Sequence, residues 1–381
     1  MKKILFLTGT RADYGKLKTL MLKVQEHENY ELYLFVTGMH LMPLYGSTWR
    51  EIEKDGFKNV YHFANQFTET STDQALGNII KGLSEYILEI RPNLIVVHGD
   101  RIEALGGAIV GALNNVLVAH IEGGEVSGTI DESIRHAITK FAHFHLVSNQ
   151  EAKERILQLG ESEENIHIIG SPDIDIMKSK QLPSLCEVKE RYEINFDKYA
   201  IAMYHPVTTD VENIKNKAKS FVDGLISSKR NYIVIYPNND LGNKEIIKEY
   251  NRLEKLSNFL LFPSIRFEFF LTLLKNAEFI IGNSSSGIRE AQVYNIMAID
   301  VGTRQNGRYN ESHKHIIHCD EIVDEMVESV NYVLGRKEAT YNTQFGQGNS
   351  DELFLKVIND ELFWKTSLQK SFIDRKVLKY T

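Results

Sequence analysis

Leu94-Ile-Val-Val97, His98-Gly-Asp-Arg101, an amphipathic run, Val116-Leu-Val-Ala119, His120-Ile-Glu-Gly-Gly-Glu125 and Asp131-Glu-Ser-Ile-Arg-His136 follow one another after Pro92. Two short apolar runs rich in β-branched residues, separated by a helical pattern, predict two parallel strands joined by a helix. Ligands of such sheets bind in the crevice at the carboxyl ends of the strands. Both strands therefore deliver polar residues to one crevice: Asp100, Arg101, Glu122 and Glu125, with Asp131 and Glu132 opening the next helix. Several carboxylates gathered with histidines and arginines point to acid/base chemistry on a neutral or anionic substrate.

The same alternation extends in both directions. Lys3 to Leu7 predicts a buried first strand, and Gly9-Thr-Arg-Ala-Asp-Tyr-Gly15 a turn into a helix with Leu17, Leu20 and Val24 at helical spacing. Such a turn can offer backbone N–H groups to an anion, and Arg11 adds a fixed positive charge there. It is neither the Gly-x-Gly-x-x-Gly fingerprint nor a P-loop. Leu32 to Val36 is a further strand. Leu76, Ile79, Ile80, Leu83 and Ile87 mark one helix face, stopped by Arg91-Pro92. Strands over 144–147 and 166–169 follow, flanking a helix over 151–159. This describes a doubly wound sheet over residues 1–170.

After a connection near Gly170-Ser-Pro172 the alternation restarts. Ile201 to Tyr204 ends in His205-Pro-Val-Thr-Thr209, Tyr232 to Tyr236 in Pro237-Asn-Asn-Asp240, and Phe259 to Phe262 in Pro263-Ser264. Phe279 to Ile281 leads into Gly282-Asn-Ser-Ser-Ser-Gly-Ile-Arg-Glu290, and Ile296 to Val301 into Gly302-Thr-Arg-Gln-Asn-Gly-Arg308. A second Rossmann-like domain over 171–360 is expected, with a cleft between the two, and a C-terminal helix over 361–381 packing back on the first. Gly282 to Gly287 places small residues before a helix, where amides and hydroxyls can meet a phosphate. By itself that pattern is more often a serine-rich N-cap with a solvated glutamate. Glu290, one turn on, could accept both hydroxyls of a ribose. His205 could donate to a phosphate oxygen, and Arg266 is another anion candidate. His313, His315, His318 and Cys319 match no dependable Cys/His spacing, so no metal is expected.

Composition narrows the class. The 381 residues exceed one ordinary core. A net charge of -7 leaves no basic excess to neutralise nucleic-acid phosphates. No apolar stretch approaches the ~20 residues that span a bilayer, and Met1-Lys-Lys-Ile-Leu-Phe-Leu7 meets Gly9 too soon for a signal peptide. A cytoplasmic location without membrane contact is expected. Cys186 and Cys319 permit at most one bridge and fit a reducing compartment.

Taken together, Gly9-Thr-Arg-Ala-Asp13, His98-Gly-Asp-Arg101, His120-Ile-Glu-Gly-Gly-Glu125, Ser127-Gly-Thr-Ile-Asp131, Ser133-Ile-Arg-His136, His205-Pro-Val-Thr-Thr209, Gly282-Asn-Ser-Ser285 and Gly302-Thr-Arg-Gln305 span nearly the whole chain. In these motifs it resembles the UDP-N-acetylglucosamine 2-epimerases. The likeness is to their hydrolysing branch, the enzymes of the sialic acid and legionaminic acid pathways. Non-hydrolysing relatives usually continue Gly-Thr-Arg with Pro-Glu, where this chain has Ala12-Asp13. The resemblance implies an α/β architecture of GT-B type: two Rossmann-like doubly wound domains, UDP held mainly by the second and the sugar facing the first. It assigns Asp100, Glu122 and Asp131 as the acid/base set. Arg11, His205, Ser284 and Ser285 would hold the diphosphate, Glu290 the ribose, and Arg135 and His136 the sugar end. It also implies a homodimer and a reaction without a redox cofactor. The competing readings are the UDP-2,4-diacetamido-2,4,6-trideoxyglucose enzyme of the same branch, a non-hydrolysing epimerase, a GT-B glycosyltransferase, and a non-catalytic UDP-sugar-binding regulator.

Overall fold

A computed structural model describes residues 1–67, 70–127, 129–179, 182–309, 314–336 and 345–374. The first sheet comprises β1 (Lys2–Thr8), β2 (Tyr30–Val36), β3 (Val60–His62), β4 (Leu94–His98), β5 (Leu117–Ile121), β6 (Phe144–Val147) and β7 (Ile166–Ile168). The second comprises β8 (Ala200–Met203), β9 (Tyr232–Ile235), β10 (Phe259–Phe262), β11 (Ile280–Gly282), β12 (Ala298–Val301) and β13 (Ile316–Cys319). Strand orders are β3-β2-β1-β4-β5-β6-β7 and β10-β9-β8-β11-β12-β13, parallel throughout. These are the two Rossmann-like doubly wound sheets of the GT-B class.

Strand periodicity explains why helices cover both faces of the first sheet. Ile4 and Phe6 point to one side and pack with Leu17, Leu20, Met21 and Val24 of the helix Arg11–Glu26. Leu5 and Leu7 point to the other and pack with Ile79, Leu83 and Ala108. Each such leucine, isoleucine, valine, methionine or phenylalanine side chain contributes about 1.5–3 kcal/mol when fully buried. The helix Arg11–Glu26 starts where it does because Thr10 and Asp13 form a reciprocal capping box. In the second sheet Tyr204, Phe221, Tyr232 and Phe279 are fully buried around β8 and β9.

Backbone contacts group Met1–Glu125, Asp131–Ile176 and the described part of 344–381 into one unit, and Val126–Ile130 with the described part of 177–343 into another. Apart from the short excursion Val126–Ile130, the chain thus crosses after Ile176 and before Phe345, where 170/171 and 360/361 were expected. Asp173 pairs with Lys16 at 3.1 Å. Asp175 accepts from Ser350 N, Ser350 Oγ and Asp351 N at 3.0, 2.9 and 3.0 Å, which caps the helix Ser350–Ile358. Phe354 and Ile358 of that helix join the core of the first sheet. These contacts tie both segments to the first unit.

The expected helix over 361–381 is not formed in its described part. Phe363–Lys365 is a single 3-10 turn, and 366–374 is an irregular strap on the first unit. Outside partners take the backbone groups that helical bonds would use: His143 Nε2 donates to Leu368 O at 3.1 Å, and Ile373 N donates to Gly160 O at 3.0 Å. Residues 375–381 lie outside the described residues. Two short strands, β3 and β13, were not anticipated. The first has only three residues, and β13 lies where polar histidines interrupt the apolar run.

Candidate functional site

Both sheets reverse their strand order beside the first strand, between β1 and β4 in one and between β8 and β11 in the other. That reversal opens the crevice where doubly wound sheets bind ligands. The Gly9-Thr-Arg turn follows β1 and Asp100 follows β4, so chain topology brings them to neighbouring strand ends. In the second unit His205 follows β8 and Asn283-Ser-Ser285 follows β11.

In the first unit Asp100 accepts a hydrogen bond from the Arg135 guanidinium, which also donates to Glu125 O at 3.0 Å. The Arg135 side chain is 3% exposed and that of Asp100 25%. Asp131 lies one turn before Arg135, in the first turn of the helix Ile130–Phe141, and is half-buried. Glu122 leaves β5 with φ 63°, a left-handed conformation that costs a non-glycine residue about 1–3 kcal/mol. It is buried. The Ser171 hydroxyl donates to its Oε1, and His98 Nε2 lies 3.1 Å from its Oε2. Two carboxylates on adjacent strand ends thus occupy opposed environments, one partly solvated beside a guanidinium and one enclosed by a hydroxyl and an imidazole.

Other expected residues have structural partners. Arg11 pairs with Glu51, and Arg101 donates to the buried Glu103 at 3.2 Å. Glu125 accepts from Ser148. His136 Nε2 is 3.7 Å from Glu132 one turn earlier. Beneath the Gly9 turn lies a set of residues to which the motif assigned no role. Asp13 accepts from Thr8 Oγ and from Gly9 N at 3.1 Å. His40 joins Thr8 and Thr48 at 3.0 and 2.6 Å. Burial pushes the Asp13 carboxyl up against the hydrogen bond from Thr8, and drives His40 down to about 3. The Asp at the third helical position was the available signal for Asp13. For Ser171, read as a connection, there was only its place after β7.

In the second unit a buried asparagine organises the site. Asn283 Oδ1 accepts from His205 N at 2.6 Å, and its Nδ2 donates to His205 O at 2.9 Å. Its own carbonyl accepts from Gln305 Nε2 at 2.6 Å and Arg304 Nη1 at 3.3 Å, which accounts for the Gly302-Thr-Arg-Gln305 motif. His205 Nδ1 accepts from Asn238 N at 3.1 Å, so the ring proton resides on Nε2, a donor. Gly282 has φ 130°, and a Cβ there would fall 2.0 Å from Met203 O, so only glycine permits this approach of β11 to β8. Ser284 Oγ accepts from Ser286 N at 3.3 Å, Ser285 begins the 3-10 turn Ser285–Gly287, and Glu290 is buried at the start of Glu290–Val293. Arg266 is placed apart. It follows the edge strand β10, two strands from β8, caps the helix Phe267–Lys275, and has its guanidinium 5.7 Å from the Phe269 ring.

Among the described residues no group of three or more His, Cys, Asp or Glu could hold a metal ion. His315 Nε2 is 3.3 Å from Ile288 O, His318 Nδ1 is 3.4 Å from Asp300, and Cys319 belongs to the second core. His313 lies outside the described residues. Both cysteines are free thiols. No described helix is long and apolar enough to cross a membrane.

The family model for UDP-N-acetylglucosamine 2-epimerase matches residues 22–359. The chain belongs to the UDP-N-acetylglucosamine 2-epimerase family. Among members of this family, the UDP-N-acetylglucosamine 2-epimerase of Neisseria meningitidis serogroup B is 48% identical over 377 residues, covering 98% of this chain and 99% of the relative. The UDP-N,N'-diacetylbacillosamine 2-epimerase (hydrolyzing) of Legionella pneumophila is 33% identical over 362 residues, covering 92% and 94%. The fold is that of the crystal structure of Methanocaldococcus jannaschii UDP-GlcNAc 2-epimerase in complex with UDP-GlcNAc and UDP: TM-score 0.79 at 20% identity, covering 94% and 99%.

Proposed function

We propose that this chain is a hydrolysing UDP-N-acetylglucosamine 2-epimerase, converting UDP-N-acetylglucosamine and water into free N-acetylmannosamine and UDP for sialic acid biosynthesis. The observation that carries the reading is the pair Asp100 and Glu122, held on adjacent strand ends in contrasting environments. The C2 hydrogen of an N-acetylhexosamine is not acidic, so its removal needs a departing group. A base takes the C2 proton, the C–H electrons form the C1–C2 double bond, and the C1–O bond breaks to release UDP. A base then takes one proton from water as its oxygen bonds to C1 of the 2-acetamidoglucal, and an acid delivers a proton to C2 on the face opposite the one that was deprotonated. Atoms balance without a redox partner, and the chemistry requires a base, an acid and stabilisation of the departing diphosphate.

Asp100, Glu122 and Asp131 supply the acid and base groups. Arg11, His205, Ser284 and Ser285 bind the diphosphate, Glu290 binds the ribose, and Arg135 and His136 shape the sugar end. Arg135 does so by fixing Asp100. Ala12-Asp13 after Gly-Thr-Arg supports the hydrolysing branch, as does the 33% identity to a relative named as hydrolysing. That relative also supports a second reading, in which the substrate is the UDP-2,4-diacetamido sugar. The higher identity to the Neisseria protein favours the first.

Proton NMR in deuterium oxide with each sugar nucleotide tests this. Free N-acetylmannosamine deuterated at C2 is expected from UDP-N-acetylglucosamine. Release of UDP-N-acetylmannosamine instead would overturn hydrolysis, and turnover of only the diacetamido sugar would select the second reading. Asp100→Asn and Glu122→Gln are expected to abolish turnover while retaining UDP binding.

A further inference from the structure

His120 lies in β5 between the two turns that carry Asp100 and Glu122, and its side chain is fully buried. Its Nε2 donates to the carbonyl of Gly99, the residue before Asp100, at 2.7 Å. That bond closes a turn in which Gly99 has φ 71° and its N–H donates to Ile121 O at 3.0 Å. The other edge of the ring lies against Gly123, the residue after Glu122. A Cβ added there would fall 2.9 Å from His120 Nδ1 and 3.2 Å from Cε1. His120 Nδ1 is buried and makes no hydrogen bond. One ring thus holds the first turn by a hydrogen bond and bears on the second by contact.

We propose that His120 is a positioning residue that sets the placement of Asp100 relative to Glu122, acting through Gly99 and Gly123. The role rests on the assignment of these carboxylates to the acid/base set. Burial pushes the imidazole down to about 3, against the hydrogen bond to Gly99, with His145, Arg135 and His98 pushing the same way as burial. The ring is therefore neutral at working pH, and its single proton is committed to Nε2 by the Gly99 carbonyl. A neutral ring with a fixed tautomer gives the same donor throughout that range, as suits a spacer rather than a proton carrier. A glutamine can place an amide N–H near the Nε2 position, an asparagine is too short, and a leucine fills space without donating.

The test compares His120→Gln, His120→Leu, His120→Asn and Asp100→Asn by thermal melting, UDP titration and steady-state kinetics on UDP-N-acetylglucosamine. Because misplacing a reacting group by about 1 Å can cost ~100-fold, H120L is expected to lower kcat about 10- to 100-fold, with KM and UDP affinity within about threefold. H120Q is expected to recover most of the loss. A wild-type kcat in folded H120L overturns the role, as does a rise in KM alone, or H120Q as impaired as H120L. If H120L fails to fold, the comparison passes to H120Q and H120N, and equal rates in those two overturn the role. Asp100→Asn separates the two failures. Full activity there refutes the acid/base assignment, whereas an inactive D100N beside a normal H120L refutes only the positioning role.

Discussion

Replacing Asn283 by leucine removes the side chain that clamps His205 without changing its volume much. Two hydrogen bonds disappear, from His205 N at 2.6 Å and to His205 O at 2.9 Å. Each is worth about 1 kcal/mol net, and each buried group left without its partner adds ~1–3 kcal/mol. His205 is only half-buried, so water recovers part of the second term. A destabilisation of roughly 2–4 kcal/mol follows, read as a shift of the urea midpoint at unchanged slope. The functional loss should be separable. Once His205 is no longer held, its Nε2–H cannot meet a phosphate oxygen in fixed geometry, and a hydrogen bond to a charged group is worth ~1.5–3 kcal/mol. UDP affinity by calorimetry should therefore fall about tenfold or more in the folded variant. Asn283→Asp keeps the acceptor for His205 N but loses the donor to His205 O, and adds negative charge near the diphosphate. It should cost less stability than leucine and at least as much UDP affinity. A folded N283L that binds UDP as tightly as the wild type would refute the assignment of His205 and the clamp together.

Glu161 should give a recognisable acid signature. Burial raises its pKa, but hydrogen bonds from His145, Lys140 and Lys370 outweigh that and bring it from an ordinary 4.5 to about 2. Its stabilisation, up to roughly 3 kcal/mol, is then complete above pH 4.5 and lost as pH falls through about 2. Glu161→Gln should lower the denaturation midpoint at pH 7 yet converge with the wild type near pH 2, and a difference that does not shrink on acidification refutes the reasoning. Arg135→Lys supplies one ammonium where a guanidinium serves both Asp100 and Glu125 O, so a loss of about 1–3 kcal/mol in stability and at least tenfold in kcat is expected. Retention of both in calorimetry and kinetics would show that the fork is dispensable. Gly282→Ala must move a Cβ away from Met203 O and leave a φ of 130°, so it should cost about 3 kcal/mol or more and weaken UDP binding. A wild-type urea midpoint would contradict it.

Local pattern was enough to place the strands of both sheets that end in motifs, because fully buried parallel strands are continuous apolar runs and their polar ends stand out. The same pattern was silent on β3, which has three residues, and on β13, whose Ile317 and Cys319 pack on the second core with the exposed His318 between them. It also misread the strap over 366–374, whose backbone is paired by partners more than 200 residues away, such as His143.

The sequence by itself determined the α/β class, the two doubly wound halves, and the membership of Asp100, Glu122, His205 and Ser284 in strand-end turns, since each of these follows from periodicity within a few tens of residues. Only the tertiary structure decided the partners. Arg135 holds Asp100 across 35 positions, Ser171 reaches Glu122 across 49, Asn283 clamps His205 across 78, and His120 bridges Gly99 and Gly123. Hydrogen bonds between side chains depend on the order and register of strands, and no spacing along the chain encodes which strand will lie next to which.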